Sequence, residues 1–128
     1  MSSYSTNEIY GSDPAYIRWQ VVRGDTASLR VEFFEDDEVT PYDISGWAFE
    51  STAYDQFDDA LDILTVEVET GYVDIVATAE VTRNWGDGYR SMVAEIPFDL
   101  EVILEDGTVW TPVIGNITVL GDVSRGSL

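Results

Sequence analysis

The chain contains no cysteine, no histidine and no lysine. Without histidine it lacks the side chain that most often serves as a general base near neutral pH. Without cysteine there is neither a thiolate nucleophile nor a soft metal ligand, and no disulfide framework. Without lysine there is no amine for Schiff-base chemistry. Carboxylates, hydroxyls and arginine are what remain for catalysis. Basic charge is equally scarce, with six arginines against 25 acidic residues and a net charge of -19 at pH 7. Nucleic-acid binding rests on neutralising phosphates, so nucleic acid is not an expected partner. Anionic lipid surfaces repel such a chain. Nor does any apolar run approach the roughly 20 residues of a membrane-spanning helix. The start, Met1-Ser2-Ser3-Tyr4-Ser5, has neither the basic nor the apolar region of a signal peptide.

What the chain does have is apolar alternation. At 128 residues and 45% hydrophobic content it is long and apolar enough for one self-sufficient domain. Period-two patterns run through Ile17, Trp19 and Val21, then Ala27, Leu29, Val31 and Phe33. Further strands are expected over Trp47 to Tyr54, through Leu64, Val66 and Val68, and through Val73, Ile75, Ala77 and Ala79. Even positions from Met92 to Leu104 are apolar, with Pro97 read as a bend or a boundary between two strands. Asp106-Gly107 turns the chain into Val109–Thr111 and Ile117–Leu120.

One segment has helical spacing: Phe57, Ala60, Leu61 and Leu64, with Asp55 as a candidate N-cap. The expected fold is all-β, an antiparallel, immunoglobulin-like sandwich of about eight strands with at most one short helix. Its core is expected to hold Leu29, Val31, Phe33, Val66, Ile75, Ile96 and Val119. Residues 1–15 read as an extended arm, 16–123 as the sandwich and 124–128 as a tail.

Several constellations invite a chemical reading. Arg23-Gly24-Asp25 matches an adhesive tripeptide, but a Gly-Asp hairpin turn accounts for it fully. With so many carboxylates, some pair will always suit a glycosidase spacing, so no catalytic pair is assigned. Calcium takes oxygen ligands alone, and Glu35-Asp36-Asp37-Glu38 and Asp55, Asp58, Asp59 and Asp62 are the candidate clusters. Neither has the spacing of an EF-hand loop, and solvated loops are the simpler reading. No catalytic, cofactor-binding or metal residue is therefore assigned, and no cofactor is expected, a structural calcium being the one alternative. Trp85, in Arg83-Asn84-Trp85-Gly86-Asp87-Gly88-Tyr89, either stacks with Tyr89 on a sugar or anchors a protein contact, or else folds back to cap one end of the sandwich.

Three stretches in order are more specific: Val22-Arg23-Gly24-Asp25-Thr26-Ala27, Tyr42-Asp43-Ile44-Ser45-Gly46-Trp47, and Asp106-Gly107-Thr108 through Ile114-Gly115-Asn116-Ile117-Thr118-Val119. Together they resemble small β-sandwich domains of tailed bacteriophages, of the LtfC type and of the N-terminal domain of BppU-type baseplate upper proteins. The resemblance covers residues 16–123 and lacks the long helix or receptor-binding head that follows the module in a baseplate arm. It implies a non-enzymatic virion protein assembled in the host cytoplasm: a tail-tip, baseplate or fibre-attachment component. A capsid decoration protein and a carbohydrate-binding module are the alternatives. Expected partners are other virion proteins or further copies in a symmetric assembly, with no nucleic acid and no membrane. The arm is expected to dock on such a neighbour through Tyr4, Ile9, Tyr10 and Tyr16, since tyrosine buries area at little rotamer cost.

Overall fold

A computed structural model describes residues 14–35, 37–55, 57, 59–85 and 93–121. These form seven strands and one short helix: β1 (Ala15–Val22), β2 (Ala27–Glu32), β3 (Ala48–Tyr54), β4 (Ala60–Val68), β5 (Tyr72–Ala77), α1 (Ala79–Arg83), β6 (Val93–Ile103) and β7 (Val109–Leu120). The seven strands make one sheet in the order β1-β7-β6-β3-β4-β5-β2. Its two edge strands are consecutive in sequence, so the sheet curls until β1 and β2 face each other, nearly closing a barrel. β4 makes the corner. Its first half, through Leu64, pairs with β3, and Thr65–Val68 pairs with β5.

The all-β class agrees with the alternation, but wholly antiparallel pairing needs correction. β1 runs parallel to β7, from Ala15 opposite Val113 to Val22 opposite Leu120. A short turn joins β1 to β2, yet no ladder links them, so β1 takes its partner from the far end of the chain. Pro97 does not divide a strand either. β6 is continuous through it, and the ladder to β3 ends one residue earlier in space, at Ala53 opposite Phe98. The missing N–H of Pro97 therefore sits beside an unpaired flank. Pro112 is accommodated differently. Leu100 pairs with Val113 and Val102 with Trp110, so Thr111 and Pro112 together oppose Glu101 in a bulge.

The helix also moves. Residues 60–68 are strand, and Phe57 lies in the preceding turn, exposed. Asp55 does cap, but it caps a tight loop: its Oδ1 accepts from the amides of Phe57 and Asp59, at 2.8 and 3.0 Å. The helix observed instead begins after Thr78, whose hydroxyl accepts from the Val81 amide. Ala79, expected at the end of a strand, is its first residue.

Val31, Phe33, Ile75, Ile96 and Val119 are buried as the alternation requires, while Leu29 and Val66 are half-buried against the same core. Phe33 is the aromatic hub. Its ring lies 5.7 Å from Trp47 in an edge-on contact, 6.1 Å from Phe49 and 6.3 Å from Trp110. Trp19 meets Phe98 edge-on at 5.7 Å. Such contacts add about 0.5–1.5 kcal/mol each beyond area burial. Gly115 shows why the third sequence stretch needs its glycine. A Cβ there would collide with the Ile17 carbonyl and the Phe98 ring, so β1 could not lie so close to β7.

Candidate docking site between the first two strands

At one end β1 and β2 are tied together. In the Arg23–Thr26 turn the Asp25 amide donates to the Val22 carbonyl at 3.0 Å, and Gly24 takes a φ of 90° that other residues resist. The buried Thr82 hydroxyl donates to the Asp25 carbonyl at 2.7 Å and accepts from the Gly24 amide at 3.0 Å. Arg23 Nε donates to the Trp85 carbonyl at 2.8 Å. The Arg-Gly-Asp tripeptide is thus a clasp onto α1, with its arginine already engaged.

Trp85 completes the clasp. Its side chain is fully buried (0% exposed), and its Nε1 donates to Asp62 Oδ2 at 2.8 Å. Of the readings of this tryptophan, the buried cap is the one observed: an indole so buried offers no face to a sugar or to a partner protein. Tyr89, its proposed companion, lies outside the described residues. The sequence reading held Asp62 only as a calcium candidate and missed its role as the indole's partner, and it missed Thr82 altogether. A signal existed for Asp62, which shares parity with Leu64 and Val66 and so faces inward with them. None existed for Thr82.

At the other end the same strands part. Ala15 and Ile17 of β1, Val31 and Phe33 at the end of β2, and Pro112 and Val113 of β7 line an apolar groove of about 200 Å³, rimmed by Arg30 and Glu32. For scale, a cavity of roughly 150 Å³ admits a benzene ring. Both flanking strands are sheet edges, each with a row of backbone donors and acceptors on its outer side. Beside the groove Tyr16 is 60% exposed, opposite the exposed Ile114. Arg30 is held across the outer face: it pairs with Asp74 through two hydrogen bonds of 2.9 and 3.2 Å and lies 4.0 Å over the Tyr72 ring. That bond to Asp74 raises its pKa further.

Among the described residues the acidic candidates do not converge. Asp37 accepts from the amides of Val39 and Thr40 and from the Thr40 hydroxyl, which holds its pKa below the usual carboxylate value. Asp55 caps its loop and Asp62 serves Trp85, while Asp36 and Asp58 lie outside the described residues. Among the described residues no three His, Cys, Asp or Glu side chains are placed to hold a metal ion. Asp43 and Asp106 resemble Asp37. Hydrogen bonds from the Ser45 hydroxyl and amide, and from the Thr108 amide, hold their pKa values low. The Tyr54 hydroxyl donates to Asp99 at 2.8 Å, and that bond to a carboxylate raises the phenol's pKa. These carboxylates fasten turns and strands.

No family model matches the chain, and no curated protein matches it in sequence. Among solved structures, one that matches is the 2,6-sialyltransferase of Vibrionaceae Photobacterium sp. JT-ISH-224, solved in a ternary complex with CMP and lactose. It is 12% identical over 84% of this chain, with a TM-score of 0.29, and the chain spans 17% of that enzyme's length. A likeness at that level carries no argument about what this chain does.

Proposed function

We propose that this protein is a non-enzymatic structural component of a bacteriophage particle, in the tail tip, baseplate or fibre attachment, and that it acts through protein–protein contacts. The observation that supports contact over chemistry is the open seam: an apolar groove flanked by two sheet edges, while the polar side chains of the clasp at the opposite end are spent on tying the turn and the Trp85 indole. Soluble proteins usually cover or blunt such edges, because they recruit further strands. The phage assignment rests on the three turn-bearing stretches and the small β-sandwich domains they resemble, a sandwich being a finer reading of the nearly closed mixed sheet. A surface of net charge -19 suits a subunit that must stay soluble before assembly and avoid the genome.

The test is immunogold labelling, or a density map, of particles from the source. Labelling at the tail end supports the reading. Particles free of the protein, combined with sugar binding on a glycan array, would overturn it.

A further inference from the structure

On β2 and β6 the outward positions are mainly polar: Ser28, Arg30 and Glu32 on one, Glu95, Asp99 and Glu101 on the other. The first half of β4 departs from that pattern. Leu64 and Val66 face the core, yet Leu61 and Ile63 on the outer face are also apolar, and they stand 43% and 63% exposed. Phe57, in the preceding turn, is 74% exposed. A strand apolar on both faces has the pattern of one covered on both faces, and an exposed apolar cluster marks a contact site. Among the described residues nothing covers the outer face here. The patch is distinct from the seam, from which β5 separates it.

The charges beside the patch select its partner. In the ladders Ile63 stands opposite Thr52, Thr52 opposite Asp99, and Glu50 opposite Glu101. Like charges directly opposite one another destabilise a sheet. β3, β4 and β6 contain no arginine, and among the described residues the one ion pair, Arg30 with Asp74, lies on β2 and β5. A cation set between Glu50 and Glu101 relieves their repulsion, and an apolar side chain beside it covers Leu61 and Ile63. The same face of a second copy would bring carboxylates against carboxylates. Nor are Arg23 and Arg30 of a second copy free to serve, since they hold the Trp85 carbonyl and Asp74. Resting on the reading that this protein works through protein contacts, we propose that the outer face of β4, β3 and β6 docks a different protein with a basic surface. An arginine or lysine of that partner lies between Glu50 and Glu101, and an apolar side chain packs on Phe57, Leu61 and Ile63.

The test titrates isotope-labelled full-length protein with a short synthetic peptide that alternates arginine and valine, read by NMR amide shifts. The shifts should cluster at Thr52, Leu61, Ile63 and Glu101. Ile63→Ser removes the exposed anchor and should weaken binding about tenfold. The Glu50→Gln/Glu101→Gln variant should weaken it about fivefold, whereas Glu32→Gln, on β2, leaves it nearly unchanged. The same glutamine pair should raise the urea unfolding midpoint of the free protein, because it removes the repulsion across the ladder. Carboxylates with a purely structural role would lower that midpoint when changed. Binding that survives both Ile63→Ser and the glutamine pair is general attraction to an acidic chain and would overturn the proposal. So would the absence of shifts at the patch, or a lowered midpoint. Concentration-dependent shifts at Leu61 and Ile63 in the protein alone would also overturn it, by making a second copy the occupant. None of these outcomes touches the particle labelling, so the two readings can fall separately.

Discussion

The two ends of the β1–β2 pair are made from the same strands and are opposite in character. At the turn, every polar group brought inside has a partner: Thr82 serves both Gly24 and Asp25, Arg23 holds the Trp85 carbonyl, and Asp62 takes the indole N–H. At the mouth the strands separate over apolar side chains. Satisfied buried polar networks define one geometry and are costly to disturb, whereas an apolar groove between sheet edges is a place where something else can be added. The comparison assigns stability to one end of the barrel and contact to the other.

Changes at the clasp should therefore cost the most. Trp85→Ala removes a fully buried indole and strands Asp62, and by analogy with large-to-small core changes should destabilise the domain by about 3–5 kcal/mol. Urea denaturation followed by the fluorescence of the remaining tryptophans measures it. A loss under about 1 kcal/mol, the level of an ordinary surface change, would mean the clasp is dispensable. Thr82→Val keeps the shape but leaves the Gly24 amide and Asp25 carbonyl without the hydroxyl, for an expected loss of about 1–3 kcal/mol in the same assay. At the mouth the sign of the comparison reverses. Deleting residues 2–12 should leave the midpoint of the isolated domain nearly unchanged and weaken incorporation into particles. Unfolding of the truncated chain would place that segment in the core.

The smallest effect concerns the turns. Asp37, Asp43 and Asp106 have folded-state pKa values below the ordinary carboxylate value, so each contributes stability above its unfolded pKa and loses it as pH falls through the folded one. Acid weakening of these turns should set in below about pH 4, and carbon-detected NMR titration should find these three carboxyls among the last to protonate. Titration with the bulk of the exposed carboxylates would remove the turn account and leave the comparison between the two ends intact.

How much of this was legible depended on whether the signal was local. Inner faces followed from alternation, so Val31, Phe33, Ile75, Ile96 and Val119 fell where expected. The helix at Phe57 to Leu64 failed because a capping aspartate looks the same before a helix and in a tight loop, and because Leu61 and Ile63 are exposed, so periodicity there did not report burial. Residues Ala79–Arg83 are too few to write a helical period, and α1 is held by its contacts with the Arg23–Thr26 turn. The parallel β1–β7 pair joins the two ends of the domain, and no local pattern encodes such a choice. Trp85 was open between an exposed contact and a buried cap until Asp62, 23 residues away, supplied its partner.

The most direct measurement is hydrogen exchange on the full-length protein at low and at high concentration, read residue by residue. Amides of Gly24, Asp25 and Trp85 should be protected under both conditions, since their bonds lie within one chain. The free-edge amides around Ala15–Ile17 and Arg30–Glu32 should exchange quickly when dilute and slow down as the protein is concentrated. Free-edge amides that exchange at the same rate at both concentrations, or a concentration effect confined to the exposed Phe57, Leu61 and Ile63, would contradict the assignment of contact to the seam.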